Sequence, residues 1–190
     1  MSAANVKCIP TSSQTVGPFF TIGLQYLIDR AENFPVDAPG RIRLSGRVLD
    51  AERNPVPDAM LEFWGANSEG AYEVVRENGP GCPQGFRRTR TNGEGCYKLS
   101  IVRPGPVPLG DGTAQAPHLV VLVFARGLMR NLLTRVYLPD PAATAQDLVL
   151  NEVPAERRPT LVARPIAADR DAFLWDVVLQ GREETVFFAW

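Results

Sequence analysis

The chain has 190 residues, 20 basic and 21 acidic side chains, and a net charge of −1. A near-neutral surface argues against nucleic acid or an anionic membrane as the main partner, and the length suits one domain with a substantial core. No apolar run reaches the ~20 residues of a membrane span, and residues 1–14 lack the apolar centre of a secretory signal, so the expected location is the cytoplasm.

The 16 glycines and 17 prolines are spread along the chain. Long helices tolerate neither residue inside them, whereas short strands joined by many turns use both. The expectation is an all-β fold, a β-sandwich of about eight strands behind an irregular N-terminal arm. The arm covers residues 1–40, with one or two helical turns near 24–33, and the sandwich covers 41–190. Arg41–Asp50 alternates polar and apolar residues as a half-buried strand does. Ala59–Ala66 is a second strand, with Phe63 and Trp64 expected in the core. Ala71–Val75 is short and extended, and 76–86 is a Gly/Pro-rich loop. Phe86–Thr91 and Cys96–Val102 read as a hairpin around the turn Thr91–Gly95. A proline-rich loop spans 103–117. His118–Arg126 is apolar enough for a strand buried on both faces, and Leu132–Leu138 follows it. A short helix is expected near Ala142–Leu148, and Arg157-Arg158 in a solvated loop. Leu161–Ile166 and Ala172–Leu179 form a last pair about a turn at Ala168–Asp171. The tail 184–190 carries three aromatics in its last four residues. Chain ends with such residues seldom stay exposed, so the tail either completes a sheet or is buried at a subunit contact.

His118 is the one histidine of the chain. Metal centres and acid–base sites lean on imidazole, so this chain supplies at most one such ligand. Cys8, Cys82 and Cys96 are odd in number and lack CxxC spacing, which points to neither a disulfide framework nor a zinc site.

Several segments then line up in order. They are Thr11–Phe19, Gly46–Asp50, Pro57–Trp64, Ala66–Tyr72, Arg103–Pro106, Ala116–His118, Phe124–Gly127 and Glu184–Phe188. Together, from about residue 10 onward, they resemble the intradiol ring-cleaving dioxygenases. The resemblance implies a β-sandwich that holds a ferric ion through two tyrosines and two histidines. Tyr72 and His118 match the first of each pair. Val107 stands where the second tyrosine belongs, and Val120 where the second histidine belongs. Gln115 lies near the place of an arginine that catalytic chains carry. A valine offers no donor to a hard ion. The departure therefore implies a degenerate chain, with no metal of its own, that pairs with a catalytic chain bearing Fe(III).

The resemblance further implies that this chain builds part of the partner's substrate pocket. Thr15, Gly17, Pro18 and Phe19 would wall an aromatic ring, with Phe19 where many relatives have tyrosine. Arg126 would hold a carboxylate on that ring through a charge-assisted pair. No catalytic residue is expected on this chain. The alternative is a non-catalytic β-sandwich that acts alone as a carrier or interaction module.

Overall fold

The computed structural model describes residues 12–17, 22–23, 40–72 and 85–189. The predicted helical turns near 24–33, the loop over 76–84, Cys8, Cys82, Pro18, Phe19 and Trp190 lie outside the described residues. Eleven strands occur among the described residues. They are β1 (Arg41–Leu49), β2 (Met60–Gly65), β3 (Phe86–Arg90), β4 (Cys96–Val102), β5 (Val107–Pro108) and β6 (Ala114–Gln115). β7 (His118–Phe124), β8 (Leu132–Tyr137), β9 (Arg164–Ile166), β10 (Asp169–Leu174) and β11 (Val177–Val178) complete the set. Two short helices, α1 (Pro141–Thr144) and α2 (Leu148–Glu152), and a 3-10 turn at Arg158–Leu161 lie between β8 and β9.

Nine of the strands form two packed sheets and β5 and β6 pair as a separate antiparallel ribbon, so the all-β expectation holds. In the first sheet β1 is central. β4 runs antiparallel along one edge of it. β10 and then β11 run parallel along the other edge, with β9 outside β10. The second sheet is antiparallel throughout, in the order β3-β2-β7-β8.

Alternation decides which residues meet between the sheets. β1 sends Ile42, Leu44 and Val48 inward, β2 sends Leu61 and Phe63, and β7 sends Leu119, Val121 and Val123. Phe173, Trp175 and Val177 fill the same core from the last strands. Gly46 is required where the parallel edge changes from β10 to β11. A Cβ there would sit 1.7 Å from the Trp175 carbonyl oxygen. That oxygen instead accepts a hydrogen bond from the Tyr97 hydroxyl at 2.6 Å, and the Trp175 amide donates to the Ser45 carbonyl at 2.8 Å.

Five expectations are corrected. β3 and β4 are not a paired hairpin, because they belong to different sheets. Their connection turns the corner of the sandwich, with Thr89 Oγ1 donating to the Lys98 carbonyl at 3.1 Å and Arg87 Nε to Ser100 at 3.0 Å. The inward positions of β3 are polar, so they bond the facing strand instead of packing against it. Trp64 is not in the core. It is 37% exposed and lies against Phe86, since neighbours in a strand point to opposite faces and Phe63 takes the inner one. The last pair is shorter and shifted: Leu161 belongs to the 3-10 turn, and β10 already begins at Asp169. Arg157 and Arg158 are half-buried, not solvated, and cap the carbonyls of Glu184, Val153 and Asn151. Finally, β7 is not buried on both faces throughout: on its outer face His118 is buried, but Val120, Leu122 and Phe124 are half-buried. The tail forms one antiparallel bridge to β8, the Phe188 amide donating to the Leu133 carbonyl at 2.8 Å.

Candidate functional site

Of the substrate-wall residues expected from the sequence, the described ones, Thr15, Gly17 and Arg126, come together near the β7–β8 connection. Ala125–Leu128 is a turn closed by the Leu128 amide on the Ala125 carbonyl at 3.2 Å. Its third residue, Gly127, has φ +90°, the conformation that type II turns reserve for glycine. The turn projects Arg126 outward and aims the Gly127 amide at the N-terminal segment, where Thr15 Oγ1 accepts it at 2.8 Å. Thr15 and Arg126 are 111 positions apart in sequence, yet this one bond makes them neighbours. Gly17 lies exposed in the same segment. A cavity of about 420 Å³ opens beside it, lined by Gln14, Val16, Leu128 and Met129 among others.

Arg126 does not stand alone. Its guanidinium lies 3.6 Å from an Asp58 carboxylate oxygen, with both side chains about half exposed. Asp58 holds φ 60°, a left-handed conformation that aspartate tolerates better than most residues. The sequence reading missed Asp58. The only local signal was its place after Val56-Pro57, in a turn.

The second group of residues surrounds the start of β7. His118 is 1% exposed, and its Nδ1 lies 2.8 Å from the Ala116 carbonyl. Burial lowers its pKa below the ordinary imidazole value; the Ala116 carbonyl opposes that shift, and the Arg135 charge adds to it. Nδ1–H thus donates to the carbonyl, and Nε2 is a buried atom with no hydrogen-bond partner among the described residues. Tyr72 is 47% exposed. Partial burial raises its pKa and the charge of Arg135 pulls it back. Val107 and Val120 present only methyl groups.

Asp147 organises this corner and was also missed. It is fully buried. It accepts from the Ala116 amide at 2.8 Å, from the Leu150 amide at 2.8 Å as the cap of α2, and from the Tyr137 hydroxyl at 3.1 Å. Tyr137 titrates at about 12, raised first by its own burial. The signal available in sequence was Asp147 before an apolar run, a helix-start pattern.

A ferric ion needs several hard anionic or imidazole donors. The positions that match such a centre supply one phenol, one imidazole and two valines. Among the described residues there is no group of three or more His, Cys, Asp or Glu side chains able to hold a metal. The residues present therefore do not fit the ion.

Comparison with known proteins agrees with the architecture. The sequence profile of a family described as dioxygenase matches residues 16–181. The chain is 40% identical to the protocatechuate 3,4-dioxygenase alpha chain of Burkholderia cepacia, over 94% of this chain and 96% of that one. It is 31% identical to the protocatechuate 3,4-dioxygenase beta chain of the same organism, over 76% of this chain and 66% of that one. Among solved structures it is similar to the dioxygenase domain of a dioxygenase–carbohydrate-binding fusion from Streptomyces sp. SirexAA-E. The TM-score is 0.62 at 23% identity, over 80% of this chain and 88% of that chain, a likeness of fold alone.

Proposed function

The chain belongs to the intradiol ring-cleaving dioxygenase family, and we propose that it is the alpha-type, non-iron-binding subunit of a protocatechuate 3,4-dioxygenase. In this reading it pairs with a beta-type chain that carries the family's non-haem Fe(III). The paired enzyme opens protocatechuate with O2 to 3-carboxy-cis,cis-muconate. The observation that carries the reading is the pairing of two facts. Two of the four ligand-matching positions are valines, and yet the Gly127 amide donates to Thr15 Oγ1 beside Arg126, which supports a wall made of these residues. A chain kept for its own metal chemistry would need the first set, whereas a chain kept for a partner's pocket needs the second.

The contribution of this chain is orientation and charge. Arg126 holds the substrate carboxylate through a charge-assisted pair, and its positive field draws the anion toward the pocket. Thr15, Gly17, Pro18 and Phe19 form the flat wall beside the ring, with the aromatic face of Phe19 stacking on it. Residues 1–40 thus act as an arm that belongs to the interface as much as to the sandwich. No side chain of this subunit takes a proton or touches oxygen. The reading makes the protein a cytoplasmic enzyme of aromatic-acid breakdown.

Co-production with a family member that retains all four ligands tests the reading. Iron and protocatechuate-dependent O2 uptake are expected in the complex and absent from this chain alone. Failure to assemble would instead favour a β-sandwich that acts by itself as a carrier or interaction module. Iron bound stoichiometrically by the isolated chain would sink the reading.

A further inference from the structure

The positions that match the family's metal ligands converge in this chain on another group, the guanidinium of Arg135. Val120 is the direct cross-strand partner of Arg135 in the β7–β8 pair. Residues so paired carry their side chains on one face, about 5 Å apart. His118 lies on that same face two residues earlier and is the partner of Tyr137. The Tyr137 hydroxyl accepts from Arg135 Nη1 at 3.4 Å. Val107 is paired with Gln115 in the β5–β6 ribbon, and Gln115 Oε1 accepts from Arg135 Nη1 at 2.7 Å. The charge of Arg135 also acts on both Tyr72 and His118. His118 and Val120 therefore share a face with this cation, Val107 is one cross-strand pair away through Gln115, and Tyr72 feels its charge.

Among the described residues that cation has no carboxylate in direct contact. None of the ion pairs found among the described residues includes Arg135. Asp147 is linked to it only through the Tyr137 hydroxyl, and the Asp147 charge opposes that of Arg135 at His118 and Tyr137 without pairing with it directly. A guanidinium stays charged at any physiological pH.

We infer that the Arg135 guanidinium replaces a metal ion as the fixed positive charge of this pocket and keeps a metal out of it. The chain has then not merely lost two ligands. It has gained a permanent cation where an ion would otherwise sit, and repulsion between two positive charges at such range is large in a half-buried site. This also accounts for valines at 107 and 120: a pocket already holding a guanidinium needs no further donors, and small apolar residues leave room for it. The inference rests on the family reading of positions 72, 107, 118 and 120.

The test measures iron content and visible absorption of the full chain, each form checked for native circular dichroism. The forms are the unaltered chain, Val107→Tyr with Val120→His, and that pair combined with Arg135→Met. Iron and a tyrosinate-to-iron absorption band are expected only in the last. Stoichiometric iron in the double variant, or none in the folded triple variant, overturns the inference. Iron in the unaltered chain overturns instead the reading of 107 and 120 as lost ligands. A second measurement serves if the triple variant fails to fold. Weak Co2+ binding through Tyr72 and His118 should strengthen by about tenfold or more in Arg135→Met and not in Arg135→Lys, because only the former removes the repelling charge. Equal affinity in all three forms overturns it.

Discussion

Replacing Arg126 with glutamine in the assembled enzyme isolates the charge that this subunit is proposed to contribute. Glutamine keeps a hydrogen-bond donor of similar reach and loses the cation. A hydrogen bond to a charged group contributes about 1.5–3 kcal/mol. Two structural facts place Arg126 at the low end. Its side chain is 55% exposed in this chain, and it already lies 3.6 Å from Asp58, whose carboxylate competes with the substrate's. About 1.5 kcal/mol corresponds to a roughly tenfold rise in KM for protocatechuate. Catechol lacks the carboxylate, so its KM should hardly move. Turnover at saturation should be nearly unchanged for both, since the bond is the same in ground and transition states. Steady-state O2 uptake on the two substrates is the assay. An equal rise for both would refute the carboxylate role and leave Arg126 as a structural residue. An unchanged KM for protocatechuate would remove it from the pocket altogether.

Asp58→Asn removes the competitor while keeping the turn. Exposed ion pairs contribute about 0–1 kcal/mol, so KM for protocatechuate should fall by a few-fold at most; a rise would mean that Asp58 holds Arg126 in its working pose. Asp147→Asn keeps one acceptor oxygen but turns an amide NH2 toward a backbone N–H, leaving a buried donor unpaired at a cost of about 1–3 kcal/mol. The melting temperature should drop by roughly 2–12 °C for a domain of this size, and a drop below a degree would contradict the three-donor description. Gly127→Ala forces a side chain into positive φ at about 1–2 kcal/mol and should also loosen Thr15, read as weaker binding of uncharged catechol in the assembled enzyme. The sole histidine gives a single imidazole signal by NMR, and its midpoint should lie below the ordinary value of 6.5. A histidine depressed in the folded state takes up its proton more readily when unfolded. Stability from this group is therefore present above about pH 6.5 and is lost as pH falls toward the folded midpoint, by at most ~1.4 kcal/mol per pH unit. A midpoint at or above 6.5 would contradict burial of the ring.

The sandwich was legible because period-two alternation is local. β1, β2, β4, β7 and β8 could be drawn to within a residue or two from polarity alone. Alternation does not say which strand a strand pairs with. Phe86–Arg90 and Cys96–Val102 flank a five-residue turn and look like a hairpin, but inward-facing Arg87 and Thr89 reach the partner strand through side chains, and the ladders go elsewhere. Two-residue strands such as β5 and β6 carry no pattern at all. The site divides in the same way. Thr15 and Arg126 were identified through family motifs and not through any local chemistry. Asp58, Asp147 and Arg135 were missed because their meaning lies in contacts made across the chain: a carboxylate beside Arg126, three donors around one acid, a cation opposite Val120. Nothing near them in sequence announces those partners.

The parallel edge of β1 has a consequence for how the protein is made. Arg43 waits for Ala172, and Val48 for Val177, roughly 130 residues later. At a synthesis rate of about 5–20 residues per second that interval is on the order of 6–26 s. During it β1 can zip to β4 but presents a bare, apolar-backed edge on its other side, a template on which foreign strands assemble. Contacts of such long range also fold slowly once the chain is complete. The nascent subunit is thus most vulnerable to aggregation before the last two strands emerge. Its yield should depend more on chaperone supply and growth temperature than that of a sandwich whose first strand finds both neighbours early.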